Sequence, residues 1–296
     1  MKPVYIYDAI RSARTRAKES GGLHDLTPQE LLKQLYDHLC SRTGVDPALV
    51  GEIILGCVTQ HGEQAGNIAK TSALYAGWPA GVSGMTVNRF CSSGIDAIAL
   101  GALKIGAGQE RAVVAGGVEM MSRVPMLADQ ARAFSDPAFA AQCRMLMMGS
   151  GADLIASLHG VTREQADAVA LESQQRAAAA QAAGHFRSIV PIETTAKGVT
   201  VQRDECIRGD ITTEQLAALQ PAFAGIGSQG VDAAQLAAYP DLDQIAHVHT
   251  AGNSPAMCDG AAVLLLGEES LAQELQREPR ARIVASATAG ADPLQV

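Results

Sequence analysis

The stretch VNRFCSSGIDAIALGALKIGAG, residues 87–108, sets a cysteine, two serines and a glycine between a short apolar run and a long alanine-rich one. A cysteine at the junction of a strand and a helix meets unpaired backbone N–H groups and the positive end of the helix dipole, both of which favour the thiolate. Thiolate is the nucleophilic form, and a cysteine of reference pKa about 8.5 drops to roughly 3.5–7.5 at helix N-termini and beside cations. Gly94 omits a side chain where a substrate would approach, and Ser92 and Ser93 add hydroxyls to the turn. Spacing alone leaves two readings of Cys91 open: a reactive nucleophile, or one of six small buried cysteines. The six, at 40, 57, 91, 143, 206 and 258, show neither CxxC spacing nor the density of a disulfide framework. Reduced, independent thiols are therefore expected, and no spacing suggests a metal site.

The elements that must position Cys91 alternate. VYIYDA at 4–9 reads as a strand, and Thr27-Pro28-Gln29-Glu30 has the form of a capping box. It opens a helix with Leu31, Leu35 and Leu39 on one face and Gly44 as its stop. EIILGCV at 52–58 is a strand-length apolar run, GNIAKTSALYAG at 66–77 a helix, and MTVNRF leads into the Cys91 stretch. IDAIALGALKI then has helical spacing, and RAVVAGG at 111–117 returns to strand. This alternation, with strands unbroken by polar positions, predicts an α/β fold with a largely parallel sheet covered by helices on both faces. Between about 120 and 250 short Met-, Gly- and Pro-containing pieces surround one clear helix, TREQADAVALESQQRAAAAQAAG, capped by Thr162 and Gln165 and ended by Gly184. That segment reads as an insertion. AMCDGAAVLLLGEESLAQEL restores the first pattern as a buried strand and a short helix, and RARIVASATA at 280–289 starts another strand.

Composition limits the partners. With 296 residues, 47% hydrophobic and 18% charged, the chain is long enough for a sizeable core in two unequal parts. A formal net charge of -8 speaks against a nucleic-acid or anionic-membrane surface as the main partner. No apolar run reaches membrane-spanning length. MKPVYIYDAIRSAR lacks the features of a secretory signal, so a cytoplasmic location is expected.

Residues 86–125, TVNRFCSSGIDAIALGALKIGAGQERAVVAGGVEMMSRVP, resemble the active-site region of thiolases, which cleave 3-ketoacyl-CoA or condense acetyl-CoA. RTRAKESGGLHDLTPQELL resembles the family's N-terminal region, DECIRGDITTEQLAALQPAF its middle insertion, and HTAGNSPAMCDGAAVLLL the return to the first core domain. The four motifs occur in the family's order over nearly the whole chain, and VNRFCSSG is similar to the degradative branch. The resemblance implies a thiolase-like fold, a layered α-β-α core with a mixed, largely parallel sheet plus an inserted loop domain. Residues 1–120 and 250–278 would form the N-terminal core domain, 121–249 the loop domain, and 279–296 the start of a second core domain that is mostly absent.

The implied chemistry is a two-step acyl transfer, as in fatty-acid β-oxidation. The Cys91 thiolate attacks the 3-keto carbonyl, the bond between the second and third carbons breaks to release acetyl-CoA, and CoA removes the acyl group from sulfur. Backbone N–H groups near Cys91 would hold the tetrahedral oxyanion. No cofactor would be bound permanently; acyl-CoA and CoA would be the partners, with no nucleic acid and no membrane. Family members are usually homo-oligomers, and dimerisation through the sheet edge beside the Cys91 loop, or a tetramer, is expected. The family's remaining machinery is a Gly-His-Pro histidine, a Cys-x-Gly-Gly cysteine and an Asn-Glu-Ala-Phe motif, and none of these occurs here. None of the seven histidines has that context, and neither Cys206 nor Cys258 opens Cys-x-Gly-Gly. The chain therefore reads as a fragment or half-enzyme, with RARIVASATA left without partner strands and a chain supplying the missing half as a further partner. The alternative is a non-catalytic thiolase-like subunit that binds a partner chain through that strand. A ketoacyl synthase shares the fold but matches the middle insertion and VNRFCSSG less well.

Ligand contacts follow from the resemblance. Ala251, Gly252, Asn253 and Ser254 match the CoA-side loop, with Pro255 where short-chain relatives have a CoA-contacting serine, and a structural turn is the competing reading. Gln220 stands where many relatives have a basic residue before Pro-Ala-Phe. Arg208 would meet a CoA phosphate or simply be solvated. Met147 stands where biosynthetic relatives have histidine, so Met147 and Met148 suit either a roomier acyl pocket or core filling. Gly116, Gly117 and Glu119 match the family's GGxE and read as architecture, and His249 as a structural polar residue.

Overall fold

The computed structural model of the protein describes residues 2–194 and 198–295. Two compact units emerge: residues 1–129, 186–206 and 257–287 form the first, and 130–185, 207–256 and 288–296 the second.

The first unit is built on a mixed sheet. Its strands are β1 (Val4–Arg11), β2 (Thr15–Arg16), β3 (Glu52–Gly56), β4 (Ser83–Val87) and β5 (Ala112–Met120). A hairpin of β6 (Ile192–Thr194) and β7 (Val199–Val201) stands apart from it, and β8 (Cys258–Gly267) and β9 (Ala281–Ile283) return to it. The order is β4-β3-β5-β8-β1-β9, with β2 added beside β8. Strands β4, β3 and β5 are parallel, β8 is antiparallel to both β5 and β1, and β9 is antiparallel to β1. Five of these strands, β1, β2, β3, β4 and β5, therefore run one way.

Helices α1 (Pro28–Thr43), α2 (Ile68–Tyr75) and α3 (Ser93–Gly106) complete the layers. The capping box forms at α1: Thr27 Oγ1 accepts from Glu30 N, and Glu30 Oε2 accepts from Thr27 N at 2.7 Å. Gly44, at φ 74°, closes the helix with its N–H on the Cys40 carbonyl. Alternate strand residues serve opposite faces. Ile53, Leu55 and Val114 pack with Leu31, Leu35 and Leu39 of α1 and Ile68 and Ala73 of α2, whereas Ile54, Val113 and Ala115 pack with Ala97 and Ile105 of α3. The layers are thus α1 with α2, the sheet, and α3.

Two expectations change. Ala281–Ile283 has a partner: Val4 pairs with Ile283 and Ile6 with Ala281, so RARIVASATA joins the first sheet. Residues 186–206, read as part of the insertion, belong to the first unit, because Val190, Ile192 and Val201 enter its core and Val190 N donates to the Arg11 carbonyl.

The second unit holds α4 (Arg132–Ser135), α5 (Pro137–Cys143), α6 (Met148–His159), α7 (Arg163–Ala182), α8 (Thr213–Ala217), α9 (Ala224–Ile226) and α10 (Asp232–Ala238). Thr162 and Gln165 form the expected capping box of α7, and Gly184 takes φ 69°. Its small core gathers Leu154, Ile245 and Leu294.

Candidate active site

Cys91 lies in the five-residue loop between β4 and α3, two residues before the first residue of the helix, and its side chain is exposed. Small hydrogen-bonding residues build this loop. Asn88 Oδ1 accepts from Phe90 N at 2.8 Å, and Ser93 Oγ accepts from Arg89 N at 2.8 Å while donating to the Phe90 carbonyl at 2.6 Å. Ser92 Oγ donates to the Arg89 carbonyl. Phe90 is thereby held at φ 47°, a left-handed conformation that is uncommon for a residue with a side chain. The serines expected to line the turn are thus part of its frame. Arg89 is paired with Asp96 on α3.

Glycines let the helix start sit directly on the strand ends. A Cβ on Gly56, at the end of β3, would lie 2.5 Å from the Ser93 carbonyl carbon. A Cβ on Gly117 would lie 2.9 Å from the Gly56 oxygen, and one on Gly116 2.0 Å from the Ala262 oxygen. The close approach explains why the Gly116-Gly117 pair ends up as architecture. Glu119 continues it. Its carboxylate accepts from Val58 N at 2.9 Å, Thr59 N at 3.3 Å and Gln64 Nε2 at 2.7 Å, and Asn88 Nδ2 donates to the Val58 carbonyl at 3.0 Å. Glu119 therefore fixes the 58–64 segment, and that segment braces the Cys91 loop.

A cleft of about 400 Å³ opens at Cys91, lined also by Gly56, Cys57, Phe90, Gly94, Glu119, Cys258 and Asp259. Three thiols border it, and their surroundings differ. Cys57 is buried, and burial together with Glu119 pushes its thiol up to about 12. Cys258 is half-buried and likewise raised, by burial and by a hydrogen-bonding contact with Cys206. Cys91 alone of the three is exposed. Arg14, also exposed, contributes a cation to the lining, whereas Arg11 is held bidentately by Asp204 at 2.8 and 2.9 Å. Burial raises the Asp259 carboxyl, which accepts from Ser122 N and Ser122 Oγ at 2.8 and 2.6 Å. His24 Nδ1 and Ser122 Oγ are hydrogen-bonded at 2.9 Å. Among the described residues lining the cleft there is no histidine.

The other sequence-derived candidates belong to the second unit. Arg208 Nη2 donates to the Gly252 carbonyl at 3.2 Å and its N–H to Gln174 Oε1 at 2.7 Å, so Arg208 is seated against the 251–254 loop. The amide of Asn253 is committed to the turn: Oδ1 accepts from Thr250 N, and Nδ2 donates to Asp167 Oδ1 and the Val248 carbonyl. Gly252 is required there, since a Cβ would lie 2.4 Å from Leu219. Ala251 is exposed and Ser254 half-buried. Met147 caps α6 and is half-buried, and Met148 opens that helix at 50% exposure, which rules out full core burial for Met148.

His249 and its neighbour are anchored. Buried Asp153 accepts from His247 Nδ1 at 2.9 Å, His249 Nδ1 at 2.6 Å and two backbone N–H groups. His247 Nε2 reaches Asp232 at 3.0 Å. Burial opposes the charge of His247, but its two carboxylate partners outweigh it and raise its pKa.

Asn88 could have been found from sequence, because an Asn two residues before a turn residue is an Asx-turn signal. Glu119 was marked by the GGxE match, whereas Gln64 had no local signal for its bonds with Glu119 and Met120, which lie 55 and 56 residues away. Among the described residues no two cysteines are joined by a disulfide. Cys206 and Cys258 are not independent, because their Sγ atoms lie 3.4 Å apart.

Comparison with known proteins gives a consistent picture. A model of the family described as thiolase, N-terminal domain, matches residues 4–241. The chain is 36% identical to a 3-oxoadipyl-CoA/3-oxo-5,6-dehydrosuberyl-CoA thiolase of Escherichia coli, over 99% of this chain and 73% of that protein. It is 38% identical to a 3-ketoacyl-CoA thiolase of a Shewanella species, over 99% and 71%. Among solved structures, the Bacillus anthracis acetyl-CoA acetyltransferase superposes with a TM-score of 0.82 at 37% identity, covering 100% of this chain and 73% of that one.

Proposed function

The chain belongs to the thiolase family, and we propose that Cys91 is its acyl-accepting nucleophile in the cleavage of a 3-ketoacyl-CoA. The observation that carries this reading is the exposed Cys91 thiol on a braced loop at the start of α3, in a cleft whose other thiols are pushed up by burial. The Cys91 sulfur attacks the 3-keto carbonyl, the carbon–carbon bond breaks, acetyl-CoA leaves, and the acyl group stays on sulfur as a thioester until CoA removes it. Backbone N–H groups at the start of α3 are the donors best situated for the oxyanion.

Proton transfer needs more than these residues. Neither Gly-His-Pro nor Cys-x-Gly-Gly occurs in the 296 residues, and no histidine lines the cleft among the described residues. In this reading the 296 residues accept an acyl group but do not turn over efficiently by themselves. Incubation with a 3-ketoacyl-CoA and CoA is the test: trace or no steady-state acetyl-CoA is expected. Steady-state cleavage that disappears in Cys91→Ala would overturn the incompleteness while keeping the nucleophile.

CoA is the co-substrate, and Arg208 with the 251–254 loop would contact it, consistent with the guanidinium already held at Gly252. Arg208→Ala is then expected to weaken binding of CoA to the chain, and unchanged CoA binding would remove Arg208 from the binding site. A homodimer through β4 is supported by the position of β4 as a sheet edge directly before the Cys91 loop. One observation favours the second reading, a subunit that binds a partner chain: α3 exposes Ile95 and Leu103 on the face turned away from its own sheet. Inert Cys91 together with a stable heteromeric complex would select it.

A further inference from the structure

We propose that Cys206 and Cys258 form a redox-active dithiol, a modification site that a low-molecular-weight disulfide converts into an intramolecular disulfide. Their Sγ atoms lie 3.4 Å apart, so bond formation at about 2.05 Å requires an approach of about 1.4 Å, within the reach of side-chain torsions.

The backbone on both sides is held in position for this. Cys206 directly follows two anchored carboxylates. Asp204 grips Arg11 bidentately and accepts from Arg14 N at 2.8 Å, and Glu205 accepts from Arg16 N and Gly22 N at 3.0 Å each. Glu205 N also donates to the Arg14 carbonyl. Cys258 opens β8 in register with Arg16 of β2. Both cysteines are thus fastened to the same short strand, one through the Glu205 carboxylate and one through the sheet ladder. Such tethering on two sides makes the meeting of the sulfurs a property of the fold.

Chain topology gives the pair a purpose. Cys206 is the last residue of the first unit before the chain leaves for 207–256, and Cys258 is the second residue after its return at Met257. A bond between them ties together the two ends of that excursion and closes a loop spanning a 52-residue separation, which restricts the unfolded ensemble.

The chemistry is two successive thiol–disulfide exchanges. One protein thiol loses its proton and attacks a sulfur of the small disulfide, breaking its S–S bond, forming a mixed disulfide and releasing one small thiolate. The second protein thiol loses its proton and attacks the protein sulfur of the mixed disulfide, forming the Cys206–Cys258 bond and releasing the second small thiolate. The two cysteines are oxidised by two electrons, the small disulfide is reduced by two, and the two protons end on the released thiols or in water. Burial and Cys206 raise the Cys258 thiol, which makes it the poorer attacker in the first step.

The test uses oxidised glutathione on the full chain, both as it stands and with Cys91→Ser to remove the exposed competing thiol. Digestion without reductant and mass spectrometry should give a peptide pair joined through residues 206 and 258. The pair should vanish after dithiothreitol and be missing from Cys206→Ser. The unsubstituted chain supplies the answer by itself if a variant fails to fold. Separate glutathione adducts on the two cysteines, or alkylation of both by iodoacetamide after oxidation, would overturn the proposal.

Discussion

Phe90 occupies a left-handed backbone conformation that costs an L-residue roughly 1–2 kcal/mol, and Asn88 and Ser93 supply the hydrogen bonds that hold it there. Asn88 does two things at once, accepting from Phe90 N and donating to the Val58 carbonyl. Removing both bonds with Asn88→Ala is expected to slow acylation of Cys91 about tenfold, the rate equivalent of one or two net hydrogen bonds at about 1 kcal/mol each. Asn88→Asp, which retains the acceptor, should recover part of the rate. Timed mass spectra of the acyl-enzyme, with the urea midpoint measured alongside, check this; equal rates in both variants and the parent would remove Asn88 from the positioning frame. The place of Cys91 at a strand–helix junction was legible in the sequence because its surroundings are local: a strand end, two serines and a glycine within a few residues. The bracing role of Gln64 was not, since the Glu119 carboxylate it donates to lies 55 residues along the chain. The contact between Cys206 and Cys258 was missed for the same reason, as spacing in sequence says nothing of a turn brought against the start of β8.

Helix α3 stands on the ends of β3 and β5, and Gly56 is the point of closest approach. Gly56→Ala would drive a methyl group into the backbone at Ser93 and Gly94, so a loss of about 1–3 kcal/mol is expected, read as a lower urea midpoint. An unchanged midpoint would mean that α3 is seated differently. In the second unit, α6 and α10 are bridged by His247 between Asp153 and Asp232, with His249 on the same Asp153 carboxylate. The pKa of His247 is raised on folding, so its stabilisation is fully present below the unfolded value of about 6.5 and is lost as pH climbs through the folded value. Between about pH 6 and about pH 9 the parent should therefore lose stability relative to His247→Gln, and a constant difference would contradict the bridge. The helices α1 and α7 were readable because capping boxes are written within four residues. The partner of β9 was not, because strand pairing is decided by the sheet it meets and leaves no local trace.

At the scale of the molecule, the alternation of strands and helices announced a layered α/β unit, and the spacing of IDAIALGALKI announced α3 as a helix. The limits of the insertion were less legible: 186–206 carries few apolar residues, yet three of them complete the first unit's core. Taken whole, the 296 residues carry an exposed Cys91 on a hydrogen-bonded loop with a cleft beside it, and neither Gly-His-Pro nor Cys-x-Gly-Gly occurs among them. The most direct measurement is peptide-mapped mass spectrometry of the chain after exposure to acetyl-CoA. The account predicts one acetyl group, on Cys91, removed by added CoA and missing from Cys91→Ser. A folded chain that stays unmodified at Cys91, or that carries the acetyl group on another cysteine, would contradict it.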